Sequence, residues 1–175
     1  GRMRAARQTF ERLGLLNIST TTADGSNYPP AAGLFDKILV DVPCSCEGTT
    51  RKEPSVIERV GEAVSCKKSG SQKALLRKAM QLCRPGGRIV YATCTYAPEE
   101  NELVVDAVLR DYPSVRLVNA EIEGLKTSAG ITAWQGQALD PSLRLARRIW
   151  PHHNDTGGFF IAVLEKDSNE TPRLN

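Results

Sequence analysis

The sequence predicts an α/β domain on a mostly parallel sheet, on three observations. Segments with strand and helix patterns alternate along the chain. One of them, Phe35–Asp41, is a compact apolar run closed by an acid and then Pro43, as buried parallel strands are. The conspicuous acidic and sulfur residues fall just past strand ends, the edge where such sheets bind ligands.

The elements follow in order. Met3, Ala6, Phe10 and Leu13 recur at helical spacing among Arg, Gln and Glu, and Gly14 stands where that helix would end. Leu16–Thr22 alternates and is β-branched, which predicts a short strand running into the Ala23-Asp24-Gly25 turn; a proline-containing loop comes next. After the Phe35–Asp41 strand, Ala74, Leu75, Leu76, Ala79, Met80 and Leu82 share one side of a helix over Gln72–Cys83, stopped by Arg84-Pro85-Gly86-Gly87. Cys83 falls on the apolar side of that helix, and Cys66 sits in a polar segment without an assignment. Arg88–Thr93 is the next strand. Pro98 opens a helix running to Arg110, with Glu99, Glu100 and Glu102 suited to its N-terminal dipole. Val115–Val118 and Gly158–Leu164 read as two more strands, with an irregular stretch between them. Residues 1–166 thus form one domain, and 167–175 a polar tail expected to fray.

With 175 residues, 41% hydrophobic and 25% charged, the chain can build a core, and disorder, collagen and coiled coil are excluded. Apolar runs such as Leu34–Val42 are broken by Asp36, Lys37 and Asp41, far short of the ~20 apolar residues a membrane helix needs. The basic opening GRMRAAR leads into no apolar stretch, so the expectation is a cytoplasmic protein without membrane partners. A net charge of +3 suits a polyanionic partner without requiring one. Five cysteines without a secretory signal argue for free thiols in a reducing compartment.

Cys44 and Cys94 each lie just beyond a strand end. If the two strands are neighbours, ~4.8 Å apart, both thiols reach one ligand. For Cys66 and Cys83 the ordinary reading, a small hydrophobe, is sufficient. A metal site from Cys44, Cys46, Cys66 and His152 or His153 lacks a second closely spaced pair, so none is expected. No Cys-x-x-Cys marks a redox pair. Asp41 either caps its strand or serves a ligand, and Asp24 either makes an Asp-Gly turn or does the same. Arg51 and Lys52 form a solvated basic pair or hold phosphates.

Together, LVDVPCSCEGTTRKEP and RPGGRIVYATCTYAPEENE closely resemble the Sun/Fmu family of S-adenosylmethionine-dependent RNA cytosine-5 methyltransferases. The Gln-x-x-Leu-Leu helix at Gln72, Arg-Ile-Trp-Pro-His and Gly-Gly-Phe-Phe-Ile-Ala extend the likeness over nearly the whole chain. The resemblance implies a Rossmann-like class I methyltransferase sheet. It implies a covalent mechanism in which Cys94 is the nucleophile and Cys44 assists product release, with Asp41 at both the cytosine and the methyl donor. It also implies that Asp24 accepts from the adenine amino group of S-adenosylmethionine, and that the partner is RNA, ribosomal first and transfer second. The family's first two strands and glycine-rich cofactor loop find no match before Arg2. The expectation is therefore a carboxyl-terminal part of a catalytic domain whose missing amino-terminal portion is a further partner, and whose visible first strand has no neighbour to pair with. A competing expectation is a catalytically incomplete RNA-binding or assembly module.

Overall fold

The computed structural model describes residues 2–29 and 34–169; residues 30–33 of the proline-containing loop and 170–175 of the tail lie outside the described residues. The elements are α1 (Arg2–Arg12), β1 (Phe35–Asp41), α2 (Glu62–Leu82), β2 (Cys83–Thr93), α3 (Glu102–Asp111), β3 (Val115–Val118), β4 (Ser128–Ala129), β5 (Ala133–Trp134), β6 (Gln137–Ala138), β7 (Arg147–Ile149), α4 (Pro151–Asn154) and β8 (Phe159–Lys166).

The main sheet has the order β1-β2-β8-β7-β4, with β3 also pairing β8, and β5–β6 form a separate hairpin. β1 and β2 are parallel neighbours, with Asp41 opposite Ala92. β8 runs antiparallel to β2, β3 and β7, so the expected mostly parallel sheet holds as a shared strand direction in β1, β2, β3 and β7 and is interrupted by β8. β3 and β7 share the far side of β8, at Val163–Lys166 and Phe159–Ile161.

Period-2 alternation decides which face is buried. Ile89 and Tyr91 of β2 and Phe160, Ala162 and Leu164 of β8 point one way and are fully buried under α2 and α3, against Leu76, Met80, Val104, Val105 and Val108. The opposite face carries no helical layer among the described residues. Val90, Ala92, Ile161 and Val163 there are half-buried, and Leu39 is 70% exposed. No helix among the described residues is long and apolar enough to cross a membrane.

Four expectations need correction. Leu16–Thr22 is not a strand: its sequence favours one, but no neighbour donates the ladder hydrogen bonds a strand needs, and Leu16 is 97% exposed. α2 starts ten residues earlier than the periodicity indicates, after Gly61, which places Cys66 exposed on a helix. Its early stretch is too polar and too rich in Ser and Gly to show an apolar stripe. Cys83 belongs to β2 and not to α2, because Arg84–Gly87 form an irregular strand entry with Gly86 at φ 73°. The expected Pro98 start of α3 is a turn, and the helix begins at Glu102. Asp167 at the tail is held by hydrogen bonds to Ser114 and Gly86.

Candidate active site

Two loops leave the adjacent C-terminal ends of β1 and β2 and are joined to each other. Gly48 N donates to Cys94 O (2.9 Å), Ser45 Oγ meets Thr95 Oγ1 (2.6 Å), and Glu47 accepts from Thr95 Oγ1 and Tyr96 N (both 3.1 Å). Gly48 has no room for a side chain: a Cβ there would lie 2.2 Å from Gly158 O. This close approach lets the start of β8 clamp the first loop through the Gly158 N to Gly48 O bond (2.8 Å).

The clamp sets Cys44 Sγ 3.2 Å from Cys94 Sγ. Parallel pairing of β1 and β2 supplies the proximity that the sequence left conditional. The Cys94 thiol donating to it brings Cys44 down to about 6, and the resulting thiolate, together with burial, pushes Cys94 well up. A third sulfur, Cys46 Sγ, lies 4.0 Å from Cys44 Sγ, and burial raises its pKa. Cys66 is elsewhere, on α2, and His152 and His153 lie in α4.

A cavity of about 660 Å³ opens over this cluster, lined by Cys44, Cys46, Lys52, Arg59, Val56 and Lys68 among others. That volume suits a nucleoside-sized ligand. Lys52 faces it, whereas Arg51 pairs with Asp155 (2.5 Å) and reaches Thr156 O. The basic dipeptide is therefore divided between cavity and loop anchor. Asp41 ends β1 with an exposed carboxylate that has no hydrogen bond or ion pair among the described residues. Asp24 stands apart: the Ser26 hydroxyl and amide both donate to its Oδ1 (2.8 and 2.9 Å), holding its carboxyl below the usual range and capping the 25–27 turn. The structure brings the Cys44, Cys46 and Cys94 sulfurs together, with Cys44 and Cys46 lining the cavity, and uses Asp24 in a local turn.

The acids after Pro98 were missed as site-building residues. They are buried and individually paired, and do not act as surface charges at a helix start. Glu100 accepts from Ser45 N (3.0 Å) and Gln72 Nε2 (2.8 Å), and Gln72 also donates to Pro43 O (2.9 Å). Glu102 pairs with Arg148 through Nε (2.7 Å) and Nη2 (2.5 Å), and Glu99 accepts from Trp134 Nε1 (2.8 Å). A run of acids beside a proline, with a Gln on the preceding helix, is the only sequence signal for this scaffold.

The model of the 16S rRNA methyltransferase RsmB/F family matches residues 1–165. The chain is 36% identical over 98% of its length to a mouse (Mus musculus) 28S rRNA (cytosine-C(5))-methyltransferase, of which it spans 22%. It is 36% identical over 89% of its length to a Pyrococcus abyssi tRNA (cytosine(49)-C(5))-methyltransferase, of which it spans 49%. It superposes with TM-score 0.77 on the crystal structure of NSun6 from Pyrococcus horikoshii with SFG, at 31% identity, covering 97% of this chain and 39% of that one. The chain thus spans about a fifth to a half of these relatives. The paired thiols at neighbouring strand ends, the motifs around them and the match along nearly all of its length show that this chain belongs to the RsmB/F family of RNA methyltransferases.

Proposed function

We propose that this chain carries the thiol half of an S-adenosylmethionine-dependent RNA (cytosine-5)-methyltransferase site, acting on ribosomal RNA or, second, transfer RNA in the cytoplasm. The observation that supports it most is the 3.2 Å Cys44–Cys94 pair, whose Cys44 lines a cavity together with Lys52, Arg59 and Lys68. Carbon 5 of cytosine is a poor nucleophile until a thiolate adds to carbon 6. The Cys94 sulfur forms that bond once its proton is gone, and Asp41 protonates or hydrogen-bonds the ring nitrogen that gains charge. S-adenosylmethionine, when bound, supplies the methyl group that carbon 5 takes. Cys44, as thiolate, then accepts the carbon 5 proton, and the Cys94–carbon 6 bond breaks to release product. Lys52 and Arg59 offer charge to the RNA backbone, while Arg51 steadies the loop that carries them. The target base leaves its stack to reach the thiols.

The residues fit one side of the cofactor. The unpartnered Asp41 carboxylate at the β1 end suits a donor group there, while Asp24 offers chiefly its second oxygen. The other side falls to a portion of the catalytic domain outside this chain. The outer edge of β1, unpaired among the described residues, and exposed Leu39 support such a partner.

A second reading exchanges the thiols. Cys44 faces the cavity and carries the lowered pKa, which favours it as nucleophile. Serine substitution in the full-length protein, read by covalent adducts with RNA on denaturing gels, separates the two. Loss of adducts in Cys94→Ser with accumulation in Cys44→Ser supports the first reading, and the reverse pattern supports the second. Adducts in neither, with RNA binding intact, favour the non-catalytic module.

A further inference from the structure

Cys46 has no part in the proposed reaction, yet its thiol joins the cluster. It adopts φ 65°, a left-handed conformation that favours glycine, and this turn directs the side chain inward. The sulfurs of Cys44, Cys46 and Cys94 all lie within 4.8 Å of one another, with separations of 3.2 Å for Cys44–Cys94 and 4.0 Å for Cys44–Cys46. A zinc ion bound by tetrahedral thiolates at about 2.3 Å holds its sulfurs about 3.8 Å apart. The three thiols therefore need only small side-chain adjustments to become ligands.

We propose that Cys44, Cys46 and Cys94 form a binding site for one thiophilic divalent cation, zinc in kind, with its fourth position open to the cavity. The metal pairing open to the sequence, with Cys66 or a histidine, is not the one the fold assembles, because Cys94 arrives from β2. Each ligating thiol gives its proton to solvent as the ion binds, and no sulfur is oxidised. Three thiolates and a divalent ion leave one net negative charge. The cavity offsets it with Lys52, Lys68 and Arg59, the last already shared with Glu53 (2.6 Å). Coordination draws charge from the sulfurs and fixes them on the ion, which lowers their nucleophilicity toward carbon 6, so the ion holds the site inactive. That consequence rests on the proposed methyl-transfer reading, whereas binding itself does not.

Cadmium titration of the purified reduced chain, followed by the ultraviolet thiolate-to-metal charge-transfer band, tests the site. The expected result is saturation at one ion per chain, unchanged in Cys66→Ser. Cys46→Gly suits the left-handed turn and should keep the wild-type circular dichroism while binding at least tenfold more weakly. Absence of a band, a titration unchanged in Cys46→Gly, or its loss in Cys66→Ser overturns the site. In the full-length protein, zinc should abolish RNA adducts and a chelator should restore them. Adducts that persist with the ion bound overturn the inhibitory consequence alone. A full-length protein that forms no adducts under any condition counts against the methyl-transfer reading and leaves the cadmium result standing.

Discussion

Cys44 and Cys94 behave as one titrating unit, because two sulfurs 3.2 Å apart share a proton more easily than they bear two charges. Of the five cysteines, Cys44 should therefore react with iodoacetamide as a thiolate in mildly acidic buffer, with a midpoint near 6. Cys94→Ala should move that midpoint up toward the ordinary thiol range, and a midpoint left unchanged would refute the pairing. Stability follows the same shift. Cys44 titrates lower folded than unfolded, so its contribution is present above the unfolded thiol pKa and is lost as pH falls through about 6. Cys94 is raised, so its contribution disappears as pH rises past the ordinary thiol range. Urea midpoints across that span in wild type and Cys94→Ala should differ accordingly. A third residue-scale expectation concerns Glu102, fully buried against a nearly buried Arg148. Glu102→Ala strands the guanidinium and should cost about 3–5 kcal/mol in urea unfolding, whereas an exposed pair such as Arg7–Glu11 should cost less than about 1.

At the scale of elements, the site depends on how closely three loops approach. Gly48→Ala places a methyl against the Gly158 backbone, which cannot yield as a flexible side chain would. The expected cost is about 1–3 kcal/mol in chemical denaturation, and the Gly48 N to Cys94 O bond should open with it. The Cys44 midpoint should then rise; one that stays near 6 would show that the loop clamp does not hold the thiols together. Sequence patterns located α1, β1, β3 and β8 because each has a clear periodicity or apolar run. They missed the first ten residues of α2, where a polar surface-facing segment is carried by its continuity with the packed half. They also misread Glu99, Glu100 and Glu102, since a carboxylate suited to a helix dipole and one buried against Arg148 or Gln72 look alike in one dimension.

On the scale of the whole molecule, one face of the sheet is covered by α2 and α3, and among the described residues no helix covers the other face and no strand pairs the outer edge of β1. Leu39 at 70% exposure and Phe35 at 39% sit on that unfinished side. Leu39→Asp should change the stability of this chain by less than about 0.5 kcal/mol, the usual range for an exposed site. In a full-length protein whose amino-terminal portion covers β1, the same change should cost about 2 kcal/mol, the worth of burying a leucine. Equal effects in the two contexts, measured by urea unfolding, would argue against that covering.

The sequence by itself determined the α/β class, most elements, the family and the two thiols at strand ends, because periodicity, turn residues and short motifs are local properties of the chain. It also suggested that its first visible strand, Leu16–Thr22, would find no neighbour, and that segment forms no strand, whereas β1 pairs with β2. Tertiary structure alone decided that Leu16–Thr22 stays out of the sheet, that β8 enters it antiparallel, that Arg51 and Lys52 part company, and that Cys46 joins the thiol pair. Each of these depends on which segment lies beside another. Pairing and burial are set by neighbours distant in sequence, and a linear pattern of residue types does not specify those neighbours.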